Sequence, residues 1–594
     1  MNLNNIKKLK NIVFVCLIFL GAGIFIIPTS AQAAVLGEQV NFNVDSTYDS
    51  TNRSQVMSTL KVIGNNILFY VENDYWNNLN GLNKNALREE LESLADEFDD
   101  VIYPKERAVF GSEWNPGIDN DSRITVLITK LVNTTGGYIN ISDEYPKEQM
   151  ATSNEREMIY LNTLIATHSQ NKSFLAHEFQ HLISFYQKTV LHGIEEDVWL
   201  NEARSEYAPT ICGYDDVYRN SYLVDRVDVF LEEPTDPLGE WKNDTSDYGA
   251  SALFMHYLVN HYGKDIITKM VLSDKVGITS INEALINSGE EKTFTDIFAD
   301  WAIANYLNDC SIGEDNQYCY MGNLTYQRLN VDYSASYSGF PNLIVSRSSS
   351  VKDWSPRWYR FRQGNAQQTD KDVLKLEFIG NPNNGDYIVP YIIEQNGNKT
   401  IDFMTLDNKE EGTIYVPNFT SLNKSIIMIP FNTFKKNNFT SDDVSSLFSF
   451  TASSVSDSPI IEEEEEEEEE EKPITDYPEG SLLRAIGDYK VYIIKGNYKR
   501  WIQTAEIYNH YGHLTWDDII DVNPIVLAKY KESWLIRADG DKKVYELNAD
   551  GTKHWLDMTA EQFVLTGHKW EMVYIVNNWE RDFYKTGSAV MYSN

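Results

Sequence analysis

Residues 173–208 read SFLAHEFQHLISFYQKTVLHGIEEDVWLNEARSEYA. His177, Glu178 and His181 form the pattern HExxH, and Glu202 and Glu206 follow in NExxSE. Residues four apart share a helix face, so His177 and His181 can aim two imidazoles at one ion. Glu178, beside the first histidine, reaches a water at that ion. Glu202, on a second helix, supplies a third ligand. Two histidines, a carboxylate and an open position make the ligand set of a catalytic zinc site. Glu206 lies one turn beyond Glu202, placed to hold the far nitrogen of a ligand histidine, His177 by preference. The plain alternatives are a solvated helix face for HExxH and a surface carboxylate for Glu206. The amphipathic pattern around the motif and the position of Glu202 favour the metal.

Outward from this stretch, 594 residues imply several domains. The opening 33 residues have the form of a secretory signal: Lys7, Lys8 and Lys10, an apolar run from Ile12 to Ile27, then Pro28 and Ala31-Gln32-Ala33. A secreted, extracellular or surface-associated protein is expected. The net charge of −37 argues against nucleic acid as a partner. No later apolar run is long enough to span a bilayer. Of the cysteines beyond the signal, Cys310 and Cys319 are close enough to close a short loop, and Cys212 reads as a buried apolar residue.

In chain order, Ser58 to Val71 reads as strand, Leu82 to Asp99 as a helix starting near Asn83 or Asn85, and Arg123 to Val132 as strand. Asp119 and Asp121, in the turn before that strand, offer carboxylates to a calcium ion; a polar turn is the plainer reading. Gly136-Gly137 opens a loop. Glu157 to Asn162 reads as a strand, either a sheet edge or a core strand. The HExxH helix starts near Ser173 as N-cap. Further helices are expected over Asp197 to Ile211, Tyr248 to His261 and Phe294 to Leu307.

Residues 331–455 carry short, regularly spaced strands and imply an all-β, sandwich-like accessory domain after a domain at 34–330. Glu462 to Glu471 are ten consecutive glutamates, and 456–478 reads as a solvated linker. Residues 479–594 hold a two-fold repeat. Arg484 to Tyr492 matches Arg537 to Tyr545, Lys499-Arg500-Trp501-Ile502 matches Lys553-His554-Trp555-Leu556, and Thr504-Ala505-Glu506 matches Thr559-Ala560-Glu561. The repeat aromatics either contact a cell-surface glycan or protein or form the repeats' own cores.

The pair AHEFQH and WLNEARSEYA resembles the gluzincin-type zinc metallopeptidases, and within them is most similar to the hyicolysin-like secreted peptidases. GIDNDSRITVL, SNEREMIYLN and YGASALFMHYL extend the resemblance over roughly residues 55–310. The chain departs from it at Ala203, where glycine is common, and at Arg204, usually apolar. The resemblance implies a gluzincin-like α+β domain of sheet and helices, with zinc on His177, His181 and Glu202 and Glu178 as general base. It also implies an oxyanion donor downstream, with Tyr248 preferred over His256. The expected activity is hydrolysis of internal peptide bonds in proteins or peptides. No GxMEN segment of the exopeptidase kind is visible. The rival expectation is a catalytically inactive surface-binding adhesin on the same scaffold.

Overall fold

The computed structural model describes residues 34–364, 370–456, 477–485, 489–522, 524–548, 551–566 and 568–591. The signal-like segment and the glutamate run lie outside these residues. The chain divides into two compact units, 1–459 and 460–594.

The first unit begins with a six-stranded sheet. Its strands are β1 (Gln39–Asn43), β2 (Gln55–Ile63), β3 (Ile67–Glu72), β4 (Ile124–Thr129), β5 (Gly137–Ile139) and β6 (Met158–Asn162). Their order is β1-β2-β3-β4-β6-β5, with β3, β4 and β6 parallel and the other pairings antiparallel. The expected strand over 58–71 is therefore two strands. The chain turns at residues 64–66, where Asp99 accepts the N–H groups of Asn65 and Asn66 at 2.6 and 2.7 Å. Such a distant carboxylate leaves no local mark in the sequence.

Side chains alternate across the strands. Ile67, Phe69, Val126, Ile128, Ile159 and Leu161 join the large helix-packed core, while Leu68, Tyr70, Leu127 and Tyr160 form a smaller cluster on the other face. After a short helix over Asn73–Asn78, helix α1 (Gly81–Glu97) is capped by Asn80, whose side chain accepts the Asn83 N–H at 2.9 Å. The site is carried by α2 (Asn171–Ser184), α3 (Val198–Cys212), α4 (Tyr222–Glu232) and α5 (Thr245–Tyr262). Ser173 is not the cap of α2. The helix starts two residues earlier, and Ser173 is buried in its first turn. Helix α6 (Phe294–Leu307) has the expected bounds, and Thr293 caps it with Asp296.

Residues 335–455 form two facing sheets. A five-stranded one includes Pro390–Gln395, Ser425–Met428 and Tyr359–Gln363; a four-stranded one includes Val373–Ile379 and Ser446–Val455. Ile426 and Met428 point into the sandwich, whereas Ile427 and Ile429 join the helical core. There Phe298 meets Phe431 at 5.0 Å and the Trp358 indole donates to the Ala302 carbonyl at 3.1 Å. The helices thus pack on the outer face of the five-stranded sheet, in a core separate from the sandwich interior. Cys310 and Cys319 are disulfide-bonded, and Cys212 is buried and free.

The second unit repeats one arrangement twice. Leu482–Ala485, Val491–Lys495 and Tyr498–Trp501 are flanked by parallel strands Ile519–Val522 and Lys531–Glu532. Leu535–Ala538, Val544–Leu547 and Thr552–Asp557 are flanked likewise by Tyr574–Val576 and Lys585–Thr586. Tyr498, Tyr508, Tyr574 and Tyr584 are buried in the unit's own core. Trp516 and Trp570, at equivalent points of the two repeats, are exposed. The molecule is mixed α+β, and among the described residues no helix is long and apolar enough to cross a membrane.

Candidate metal centre

His177 and His181 stand one turn apart on α2, and α3 crosses that face with Glu202. The two Nε2 atoms are 3.1 Å apart, and Glu202 Oε2 lies 3.3 Å from the first and 3.5 Å from the second. All three side chains are largely buried. The donor atoms fit a divalent ion: two ligands about 2.1 Å from a tetrahedral centre are about 3.4 Å apart.

Each far nitrogen faces a buried oxygen. The Ser205 hydroxyl donates to Gln180 Oε1 or the Asn201 carbonyl, so at 3.1 Å it accepts from His181 Nδ1. His177 Nδ1 faces Glu206 Oε1 at 3.3 Å, off the line of an ideal hydrogen bond. In this orientation each ring turns Nε2 to the centre and can offer its lone pair to an ion while a proton stays on Nδ1. Burial opposes a charge on His177, but Glu202 and Glu206 outweigh it and raise its pKa to about 10 when no ion is bound. Both Nε2 atoms converge on Glu202 Oε2, a buried oxygen with no well-formed hydrogen bond among the described residues. A buried acceptor of this kind is costly unless a cation meets it.

Charge in the site is set by burial and opposed pairs. Burial disfavours ionising Glu202, but the two histidines outweigh it and hold its carboxyl well below the usual range. Burial likewise disfavours Glu206, and Arg226 and His177 bring it to about 2. Burial pushes Glu178 up, opposed by His177 and His181. A carboxyl shifted upward in this way is suited to taking and returning a proton.

Glu178 lies under the sheet edge. A Cβ on Gly137 would sit 2.9 Å from Glu178 Oε1, and one on Gly136 would sit 2.3 Å from the Phe174 ring. The Gly136-Gly137 pair is what lets β5 approach the helix this closely. The edge strand beside the site is therefore β5, with β6 enclosed between it and β4.

Tyr248 lies in the first turn of α5. Its hydroxyl donates to Asn243 Oδ1 at 2.9 Å, and burial together with the nearby Glu202, Glu206 and Glu178 carboxylates raises its pKa. His256 is core: it bonds the Tyr326 hydroxyl at 2.6 Å, and burial lowers it to about 3. Asp119 and Asp121 are not brought into a cation-holding group. Arg123 takes both Asp121 oxygens, at 2.8 and 2.5 Å, and Asp119 accepts the Asp121 N–H.

The sequence reading missed three residues. Arg226 grips Glu206 from α4. Tyr222 donates to Glu206 Oε1 at 3.0 Å. Tyr48, stacked on Tyr138 at 4.7 Å, is raised by burial and by carboxylates that include Glu178 and Glu202. None sits in a recognisable pattern with HExxH. Arg204 also has its explanation. Fully buried, it bonds Glu196 at 2.7 Å and Ser184 at 3.2 Å, and Glu196 in turn faces Lys188 at 3.5 Å. The departure from an apolar residue thus carries its own counter-charge.

No family model matches the chain, and no curated protein matches it. A solved structure, a family GH115 4-O-methyl-alpha-glucuronidase with specificity for decorated arabinogalactans, aligns with 52% of this chain and 47% of its own, at 11% identity and a TM-score of 0.12. The chain thus spans just under half of that protein. A likeness so slight carries no argument about fold or chemistry.

Proposed function

We propose that the first unit is a zinc-dependent endopeptidase of the gluzincin type. The observation that carries this reading is the convergence of two Nε2 atoms and the buried Glu202 oxygen within 3.1–3.5 Å, with Glu178 beside them. Two imidazoles and one carboxylate favour zinc over the oxygen-seeking cations. Such an ion, when bound, polarises a carbonyl and acidifies a water.

The chain's own residues supply the rest. Glu178 accepts the proton of the attacking water and returns it to the leaving amine. Tyr248 donates a hydrogen bond to the developing oxyanion, and Tyr48 is its competitor for that role. The edge strand β5 offers unpaired backbone groups along which an extended peptide can add. Secretion and a surface contact through Trp516 and Trp570 complete the proposal.

The test is digestion of an unstructured protein by the full chain, with metal content measured in parallel. Wild type should carry about one zinc in the first unit and cleave internal bonds. Glu178→Gln should keep the metal and lose about 10²–10⁴-fold in rate. Wild type that binds zinc yet cleaves nothing would leave the adhesin reading in its place. Full activity in metal-free protein would exclude both the ion and the mechanism.

A further inference from the structure

Residues 233–244 join α4 to α5. At this junction Asp236, Asp244 and Asp247 bring one carboxylate oxygen each within 4.8 Å of one another. We propose that these three residues bind a hard divalent cation of the calcium type, separate from the histidine centre.

Four observations carry the proposal. Asp236 and Asp247 are 7% and 3% exposed, yet Asp236 Oδ2 and Asp247 Oδ1 have no hydrogen-bond partner among the described residues. Asp247 is also held in a fixed orientation. Its Oδ2 accepts the N–H groups of Lys242 and Asp244 at 2.9 and 3.0 Å, which leaves Oδ1 as the free oxygen. Asp244 is held by Ser246, whose hydroxyl donates to Oδ1 at 2.6 Å. The nearby Lys242 ammonium is committed to Glu240 Oε2 at 2.7 Å.

The donor set is oxygen alone, which selects calcium-like ions over zinc. The span agrees, because oxygens about 2.4 Å from one calcium can lie up to about 4.8 Å apart. Burial and mutual repulsion raise Asp236 and Asp247, so the cluster needs either a cation or a shared proton. The exposed third carboxylate, Asp244, leaves room for water to complete the shell.

The position gives the ion a task. Arg226 rises from α4 on one side of the junction, and Tyr248 starts α5 on the other, bonded to Asn243 within it. A cation here fixes both reaches toward the histidine centre.

The experiment uses the full-length protein and terbium as a luminescent stand-in. Trp241 lies within the junction, 5.0 Å from the Tyr248 ring, and serves as sensitiser. The glutamate run gives a diffuse background common to all variants. We expect one saturable terbium site displaced by calcium, together with a calcium-dependent rise in Tm. Both should weaken at least tenfold in Asp244→Asn, an exposed substitution that the fold tolerates, and in Asp236→Asn. Both should persist in His181→Ala, which damages only the histidine centre. Terbium emission and Tm response equal to wild type in both aspartate variants would overturn the proposal. So would a wild-type protein with no calcium response, the cluster then being a proton-sharing pair.

Discussion

Arg226 holds Glu206 by two parallel contacts, Nε to Oε2 at 2.5 Å and Nη2 to Oε1 at 2.9 Å. The same carboxylate faces His177, so the pair ties the orientation of a candidate ligand to a helix outside the HExxH region.

This pair gives the molecule an acid limit. Glu206 has its carboxyl lowered from 4.5 to about 2. A lowered folded-state pKa adds stability that is fully present above about pH 4.5 and is lost as pH falls toward 2. Arg226→Met leaves the buried carboxylate without its main partner. It should cost about 3–5 kcal/mol at neutral pH and move acid unfolding to higher pH. Urea unfolding across pH 2–7 reads both effects. An unchanged pH profile would show that the pair contributes nothing.

Ser205→Ala removes the oxygen that fixes His181 Nδ1. Metal affinity should fall about 10–100-fold, measured by competition with a chromophoric chelator, while the circular dichroism spectrum stays as in wild type. Equal affinity would mean the ring orients itself.

The oxyanion role is decided by two phenylalanine variants. Tyr248→Phe should lower kcat about 10²–10³-fold with KM nearly constant. If Tyr48→Phe produces that pattern and Tyr248→Phe does not, the role belongs to Tyr48.

Residues 34–50 are built into the fold. Strand β1 lines the sheet, and the buried Asp49 accepts from Arg53, which also bonds Glu72 at 2.8 Å. Deletion of this segment should lower Tm by several degrees and expose Tyr70 and Leu68. An active form that begins after residue 55 would contradict this.

The motif and its helices were legible because apolar spacing at the helical period is a local signal. The pairing of Glu202 with the histidines was legible for the same reason, since all three lie within two successive helices. What was hidden depends on contacts distant in sequence. Asp99 breaks the 58–71 strand from 33 residues away, and Arg226 meets Glu206 from another helix. Arg123 is adjacent to the DND turn, but only geometry shows that it takes both Asp121 oxygens. The Gly136-Gly137 pair was visible as a loop. Its meaning, a strand pressed against Glu178, needed the two elements brought together. The aspartates of the α4–α5 junction are spaced by eight and three residues and match no named pattern.

The strand Ser425–Met428 separates two interiors, with alternate side chains committed to each. A one-residue slip would send Ile427 into the sandwich and Ile426 against the helices, mispacking both at once. This stretch can therefore exchange one apolar residue for another, but a single inserted or deleted codon would be far more damaging than any of those exchanges. Among related chains, alignment gaps should fall in the surrounding turns and leave these four residues unbroken.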